Sequence, residues 1–169
     1  VADVLEMERA SGPLLALYFV AGAASLPLWV NLSTRFGRVH AWLAAMALSI
    51  IAFAGASLLG AGDLWPFAAI CIASGLALGA DLALPAAIAA DLGERQGQAG
   101  ACFGVWNFVA KLNLALAAGL ALPLLALLGY VPGGGDGLTS LTFAYALLPL
   151  AFKALAGALL WRWRHSLEI

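Results

Sequence analysis

The sequence predicts an all-α integral membrane protein, and three observations predict it. Of its 169 residues, 64% are hydrophobic and only 10% charged, whereas soluble domains carry about a quarter charged residues. Mean hydropathy is correspondingly high, at +0.98. Apolar runs recur over about 12–31, 41–62, 65–91, 100–129 and 140–161, each near or above the ~20 residues that cross a bilayer core as a helix. The runs also lack the polar stripe that helices of a soluble bundle need, and they lack the short alternating segments of a β-barrel. A single membrane domain over 1–169, with about five transmembrane helices, follows. The net charge of −1 says little, because in a membrane protein the distribution of charge matters more than its sum; the expected partner is the lipid bilayer, with no nucleic acid.

Residues 1–11 (VADVLEMERAS) hold Asp3, Glu6, Glu8 and Arg9 and read as a loop outside hydrocarbon. Val1 stands where an initiator Met is usual, and no charged n-region precedes a short apolar h-region, so a fragment without a signal peptide is expected. The five helices are rich in Gly and Ala (GAASLP, GASLLGAG, ASGLALGA, LAAGLAL). Small residues let backbones approach closely in lipid, where no hydrophobic drive pulls helices together. Pro85, Pro123 and Pro149 fall inside predicted helices and each removes a backbone donor, which predicts kinks. The stretch 130–139 (YVPGGGDGLT) reads as a glycine-rich turn. Cys71 and Cys102 sit on different predicted helices towards opposite membrane faces, so no disulfide is expected.

Charge sets the predicted orientation. The joints at 32–40 and 92–99 and the end beyond 161 carry Arg35, Arg38, Arg95, Arg162 and Arg164, while the opposite side has only Arg9. The positive-inside rule makes the first set cytoplasmic, with the N-terminus of the chain outside and its C-terminus inside. Trp65, Tyr130, Trp161 and Trp163 fall at predicted boundaries, where amphipathic rings prefer to lie. A bacterial inner membrane is the expected location.

Three ionisable groups lie inside predicted spans: Asp81, Lys111 and Lys153. A charge at the bilayer centre costs about 2.5–3.5 kcal/mol or more, so each needs a partner or a wet cavity. Lys111 lies about eleven residues into its helix, roughly 16 Å deep. Asn107 is one turn earlier on the same face and Trp106 is beside it. A lysine, an amide and an indole together suit a polyhydroxylated or anionic ligand, while pairing of Lys111 with a carboxylate to lock helices is the plainer reading. Asp81, about two-thirds of the way along the third helix, has Lys111 or Lys153 as candidate partners, or a coupling cation. At the cytoplasmic side, Arg35 and Arg38 face Asp91, Glu94 and Arg95 across the loops, a candidate salt-bridge latch. The spans hold one carboxylate, and His40 and His165 lie at their edges. That leaves an intramembrane enzyme short of paired acids, a metal site or a nucleophile with its base. No resident cofactor or metal is expected.

The run P-A-A-I-A-A-D at 85–91, G-Q-A-G at 97–100, F-G-V-W-N-F-V-A-K at 103–111 and L-L-G-Y at 127–130 together resemble the glycoside–pentoside–hexuronide:cation symporters. These are the melibiose-permease-like branch of the major facilitator superfamily. The first joint, N-L-S-T-R-F-G-R at 31–38, is similar to the superfamily's basic interhelical loop. It departs from it at Thr34, where an acidic residue is usual, and at Val30, where glycine is usual.

The resemblance implies that the five helices are the last five of twelve, making most of the C-terminal six-helix bundle, with the N-terminal half missing. It implies sugar:cation symport by alternating access, with Na⁺ or H⁺ as the coupling ion and a small solute, a sugar, as cargo. It carries a sugar- and cation-site role to Lys111 only, and it places the family's cation-binding carboxylates mainly in the N-terminal half, outside this chain. By position Asn107 and Trp106 are the neighbours for the substrate, and Asp81 and Lys153 are a candidate cation or charge-pair site. Arg35, Arg38, Asp91, Glu94 and Arg95 would form the cytoplasmic gate. A lysolipid or other amphipathic solute is the alternative cargo for the same fold, and a non-transporting membrane subunit is a further reading.

Overall fold

A computed structural model describes residues 11–56, 59, 63–127 and 148–167. Among these the chain forms five helices: α1 (Ser11–Phe36), α2 (Arg38–Ala56), α3 (Leu64–Arg95), α4 (Ala99–Leu127) and α5 (Leu148–Leu167). The described residues contain no strand. Helices α1 to α3 and the Ala99–Leu120 part of α4 are long and apolar enough to cross a membrane. The described part of α5 falls short, because Arg162, Arg164 and His165 occupy its last turns. Residues 140–147, which the sequence assigns to that span, lie outside the described residues, as do the turn at 130–139 and Tyr130.

Helix α3 is the centre of the bundle. Its 32 residues extend about 48 Å at 1.5 Å per residue, longer than a bilayer core, and α1, α2 and α4 all pack on it. Against α1 it presents the GLALG run at 75–79. A Cβ added to Gly75 would stand 2.3 Å from the Tyr18 carbonyl oxygen, and one on Gly79 would stand 2.6 Å from the Gly22 carbonyl oxygen. The two backbones therefore touch, which only glycine permits. That approach lets the Leu76 carbonyl oxygen accept from Trp29 Nε1 at 2.7 Å and from Ser25 Oγ at 3.0 Å. The Ser25 hydroxyl also reaches the Gly22 carbonyl oxygen at 2.8 Å.

Helix α2 runs antiparallel to α3. Trp29, Ala41, Ala45, Ala80 and Leu84 form one buried cluster across α1, α2 and α3, and Val39, Met46, Ile88 and Leu160 form a second that brings in α5. Large side chains such as Phe19, Ile51, Leu82, Phe108 and Phe152 point outward, as suits a lipid-facing surface.

The joints are shorter than the sequence suggests. The expected loop at 32–40 reduces to Gly37, the one residue between α1 and α2, with φ of 85°. Ser33 and Thr34 stay helical by donating their hydroxyls to the carbonyl oxygens of Val30 and Asn31, each at 2.8 Å. Polarity alone therefore does not end α1; the left-handed glycine does. Likewise α3 continues past Asp91 to Arg95. It turns through Gly97 (φ 67°), and the amides of Gly97 and Gln98 close on the carbonyl oxygens of Glu94 and Gly93. Helix α5 continues past 161 to Leu167, so Arg162 and Arg164 lie on a helix instead of in a tail. Pro27, which the sequence reading passed over, stands inside α1 as Pro85 and Pro123 stand inside α3 and α4. Pro149 is the second described residue of α5, and the residues before it lie outside the described ones.

Candidate functional site

Asp81, Lys111 and Lys153 share one depth. They lie 14, 12 and 14 residues from Arg95, Ala99 and Leu167 respectively, about 18–21 Å from the same end of the bundle. Asp81 sits just past the middle of α3, nearer the centre than two-thirds along, because the helix runs on to Arg95.

Around Asp81 the structure closes a three-helix polar cluster. Lys153 of α5 pairs with Asp81 Oδ2, and Trp42 of α2 donates its Nε1–H to Asp81 Oδ1 at 2.9 Å. Both carboxylate oxygens are thus occupied by donors from different helices. The lysine and aspartate side chains are 23% and 29% exposed, so the pair sits between the packed seam and the open side of the bundle. Of the two partners the sequence offers for Asp81, Lys153 is the one that reaches it. Trp42 is the site residue that sequence reasoning missed. Nothing in the sequence marks Trp42, since only the packing of α2 on α3 brings its indole N–H to Asp81.

Lys111 stands apart from this cluster. It is exposed on α4, and among the described residues no ion-pair partner reaches it. Asn107, one turn earlier, bonds its own helix through Nδ2 to the Phe103 carbonyl oxygen at 3.0 Å. Trp106 does not share their face. Five residues from Lys111, it is rotated about 140° around the helix, and it lines a groove of about 430 Å³ between α3 and α4. That groove is walled by apolar side chains such as Leu92, Val105 and Val109. The lysine, amide and indole expected to act together are therefore split between two faces of α4.

At the basic end, Arg38 pairs with Asp91 and donates from Nη1 to the Ala87 carbonyl oxygen at 2.8 Å, tying α2 to the last turns of α3. A cavity of about 380 Å³ opens beside the pair, lined by Ser33, Arg38, Asp91, Arg95 and Leu167 among others. Arg35 and Glu94 are exposed at the same end. Trp161 of α5 stacks under Arg164, with the guanidinium carbon 4.0 Å from its ring centre, and meets His40 edge-on. Cys71 and Cys102 are both free thiols. Among the described residues no His, Cys, Asp and Glu group is arranged to hold a metal ion.

These features define a class: a polytopic helical membrane protein with interlocked glycine-rich helices and an ion pair at mid-span. The sequence matches the family described as MFS/sugar transport protein over residues 1–166, and the chain belongs to that family, within the major facilitator superfamily. Comparison with curated proteins and with solved structures returned no match.

Proposed function

We propose that this chain is the substrate- and cation-handling C-terminal part of a secondary active transporter that carries a sugar by symport with Na⁺ or H⁺, of the melibiose-permease-like type. The observation that carries the reading is the Asp81–Lys153–Trp42 cluster at mid-span, found in a chain of a sugar-transport family. Ionisable residues at that depth are costly and mark substrate and ion pathways, and transporters of related folds bind solute and ion near the midplane between two repeats. Lys111 and Asn107, exposed at the same level on α4, face the solute and the other half of the protein. Trp106 packs in the groove behind them and fixes the rotation of α4. Arg38 and Asp91 hold the basic, cytoplasmic end together when the carrier is closed there, with Arg35, Glu94 and Arg95 around them.

The test is uptake by the full-length protein in proteoliposomes under imposed Na⁺ or H⁺ gradients, with a panel of labelled glycosides, pentosides and hexuronides. Lys111→Ala abolishes coupled uptake while leaving expression intact. Normal uptake by that variant would remove Lys111 from the site.

The apolar groove between α3 and α4 favours one second reading. Its walls are suited to an acyl chain, so a lysolipid is the alternative cargo. Competition of uptake by lysolipid, with none by sugars, would select it.

A further inference from the structure

We propose that the seam between α3 and α4 is a resident site for an anionic phospholipid of the leaflet at the basic end of the bundle. One acyl chain lies in the groove and the phosphate sits at Arg95. The site needs the placement of Lys111 proposed above, and neither the sugar nor the coupling ion.

The groove of about 430 Å³ is walled by apolar side chains, Ala89 and Leu92 of α3 and Ala101, Val105 and Val109 of α4, with Gln98 at its mouth. Gln98 stands in the joint between the two helices. Val109 lies eleven residues further on, about 16 Å along the helix axis. Half of a ~30 Å hydrocarbon core is about 15 Å, so the groove is one leaflet deep. Towards the basic end it adjoins the cavity of about 380 Å³ that holds Arg38, Asp91 and Arg95, and Leu92 is a wall of both. An apolar channel of one leaflet's depth, ending beside a charged chamber, divides as a phospholipid does.

The charge at that end selects an anionic head. Among the described residues Arg35, Arg38, Arg95, Arg162 and Arg164 stand there against Asp91 and Glu94, while Asp63 alone is charged at the opposite end. Basic pockets between membrane helices suit anionic head groups. Arg38 is engaged with Asp91 and with the Ala87 carbonyl oxygen. Arg95, exposed in the last turn of α3, lies three residues beyond Leu92 on the same side of that helix. Its guanidinium carries five N–H donors, so it can hold a phosphate oxygen alongside a protein partner.

The exposure of α4 selects lipid as the occupant. Helix α4 packs chiefly on α3, and none of its described residues is buried. Its groove-lining positions centre ~150° around the helix from Lys111, at 100° per residue. Lys111 and Asn107 are the positions assigned above to the other half of the protein, so the groove is turned away from that half, towards the bilayer. At the joint the helices meet closely: a Cβ on Gly93 would stand 2.6 Å from Ala99 Cα. A bound chain fills the seam below that contact and holds α4 against α3.

The experiment uses the full-length protein in phosphatidylcholine nanodiscs doped with a photoreactive phospholipid that carries a diazirine at mid-chain. The probe has either a phosphatidylglycerol or a phosphatidylcholine head, and adducts are mapped by peptide mass spectrometry. The phosphatidylglycerol probe is expected to label the groove positions within 89–109 at least fivefold more than the phosphatidylcholine probe. Arg95→Gln is expected to bring the two yields within twofold of each other, and Val105→Trp, which fills the groove, to lower both several-fold. Equal labelling by the two probes in the unmodified protein overturns the proposal, and that comparison needs no variant to fold. A phosphatidylglycerol preference that survives Arg95→Gln also overturns it. So does labelling confined to the outward-facing Phe103 and Phe108, the result expected if protein covers the groove. Protein-dependent transfer of labelled lysophosphatidylglycerol across a liposome membrane, lost in Val105→Trp, would make the groove a cargo path and equally overturn a resident site. Failure of the symport reading looks different: the groove adducts would persist in a protein that accumulates no sugar.

Discussion

Gly75→Ala tests the packing on which the mid-span cluster is built. The added methyl would stand 2.3 Å from the Tyr18 carbonyl oxygen and 3.0 Å from the Ala21 Cβ. The first neighbour is backbone, so no side-chain rotation relieves it. Restoring a tolerable contact of about 3.0 Å requires α1 and α3 to separate by about 0.7 Å at that level. The same shift lengthens the Trp29 bond to the Leu76 carbonyl oxygen from 2.7 Å, and the Ser25 bond from 3.0 Å, to or beyond the limit for a useful hydrogen bond. Overpacking costs about 1–3 kcal/mol, and each interhelical hydrogen bond in a membrane about 0.6 kcal/mol. The better helix propensity of alanine returns about 1 kcal/mol. The net expectation is a loss of about 1–3 kcal/mol. The assay is equilibrium unfolding of the full-length protein in mixed micelles, followed by tryptophan fluorescence, with Gly157→Ala as control. There the new methyl meets Met46 Sδ at 3.6 Å, an ordinary contact, and stability is retained. A Gly75→Ala protein as stable as Gly157→Ala would refute the account of the seam.

Two further outcomes follow from single side chains. Ser49 on α2 is buried, and among the described residues its hydroxyl has no hydrogen-bond partner, so Ser49→Ala removes an unsatisfied polar group and raises stability by up to about 1 kcal/mol; a loss in the same unfolding assay would mean the hydroxyl has a partner. Arg38→Ala breaks the Asp91 pair and the bond to the Ala87 carbonyl oxygen. The pair is 39% and 40% exposed, so stability falls by only about 1 kcal/mol or less, but the cavity beside it opens. A cysteine placed at Ser33 should then react roughly fivefold faster with an impermeant maleimide, and an unchanged rate would show that the pair does not close that end.

The membrane class and the existence of five helices were legible in composition and run length, because a helix that crosses a bilayer must be apolar along its whole length. Helix ends were less legible. Ser33, Thr34 and Arg35 read as loop by polarity, yet side-chain hydroxyls satisfied on the helix's own carbonyls keep the chain helical until Gly37. Site residues divided the same way. Asp81, Lys111 and Lys153 were visible because charge inside an apolar run is conspicuous. Which lysine meets Asp81 was not visible, since it depends on how α2 and α5 lie against α3. Trp42 was hidden for the same reason: an indole among apolar neighbours carries no mark until the packing brings its N–H to a carboxylate. The angle of about 140° between Trp106 and Lys111 follows from their spacing, but which of those two faces meets α3 depended on packing, and the small residues on several faces of that helix left the choice open.

The central claim is that solute and cation meet in one coupled mid-membrane site. Its most direct measurement is the sugar dissociation constant of the purified full-length protein, determined for a panel of glycosides in NaCl, at low pH, and in choline chloride at neutral pH. Coupling free energies of about 1–3 kcal/mol between sites predict a five-fold or greater tightening for at least one sugar with the coupling ion present, lost in Asp81→Asn. A sugar affinity that is the same under all three conditions, or no saturable sugar binding under any of them, would contradict the account.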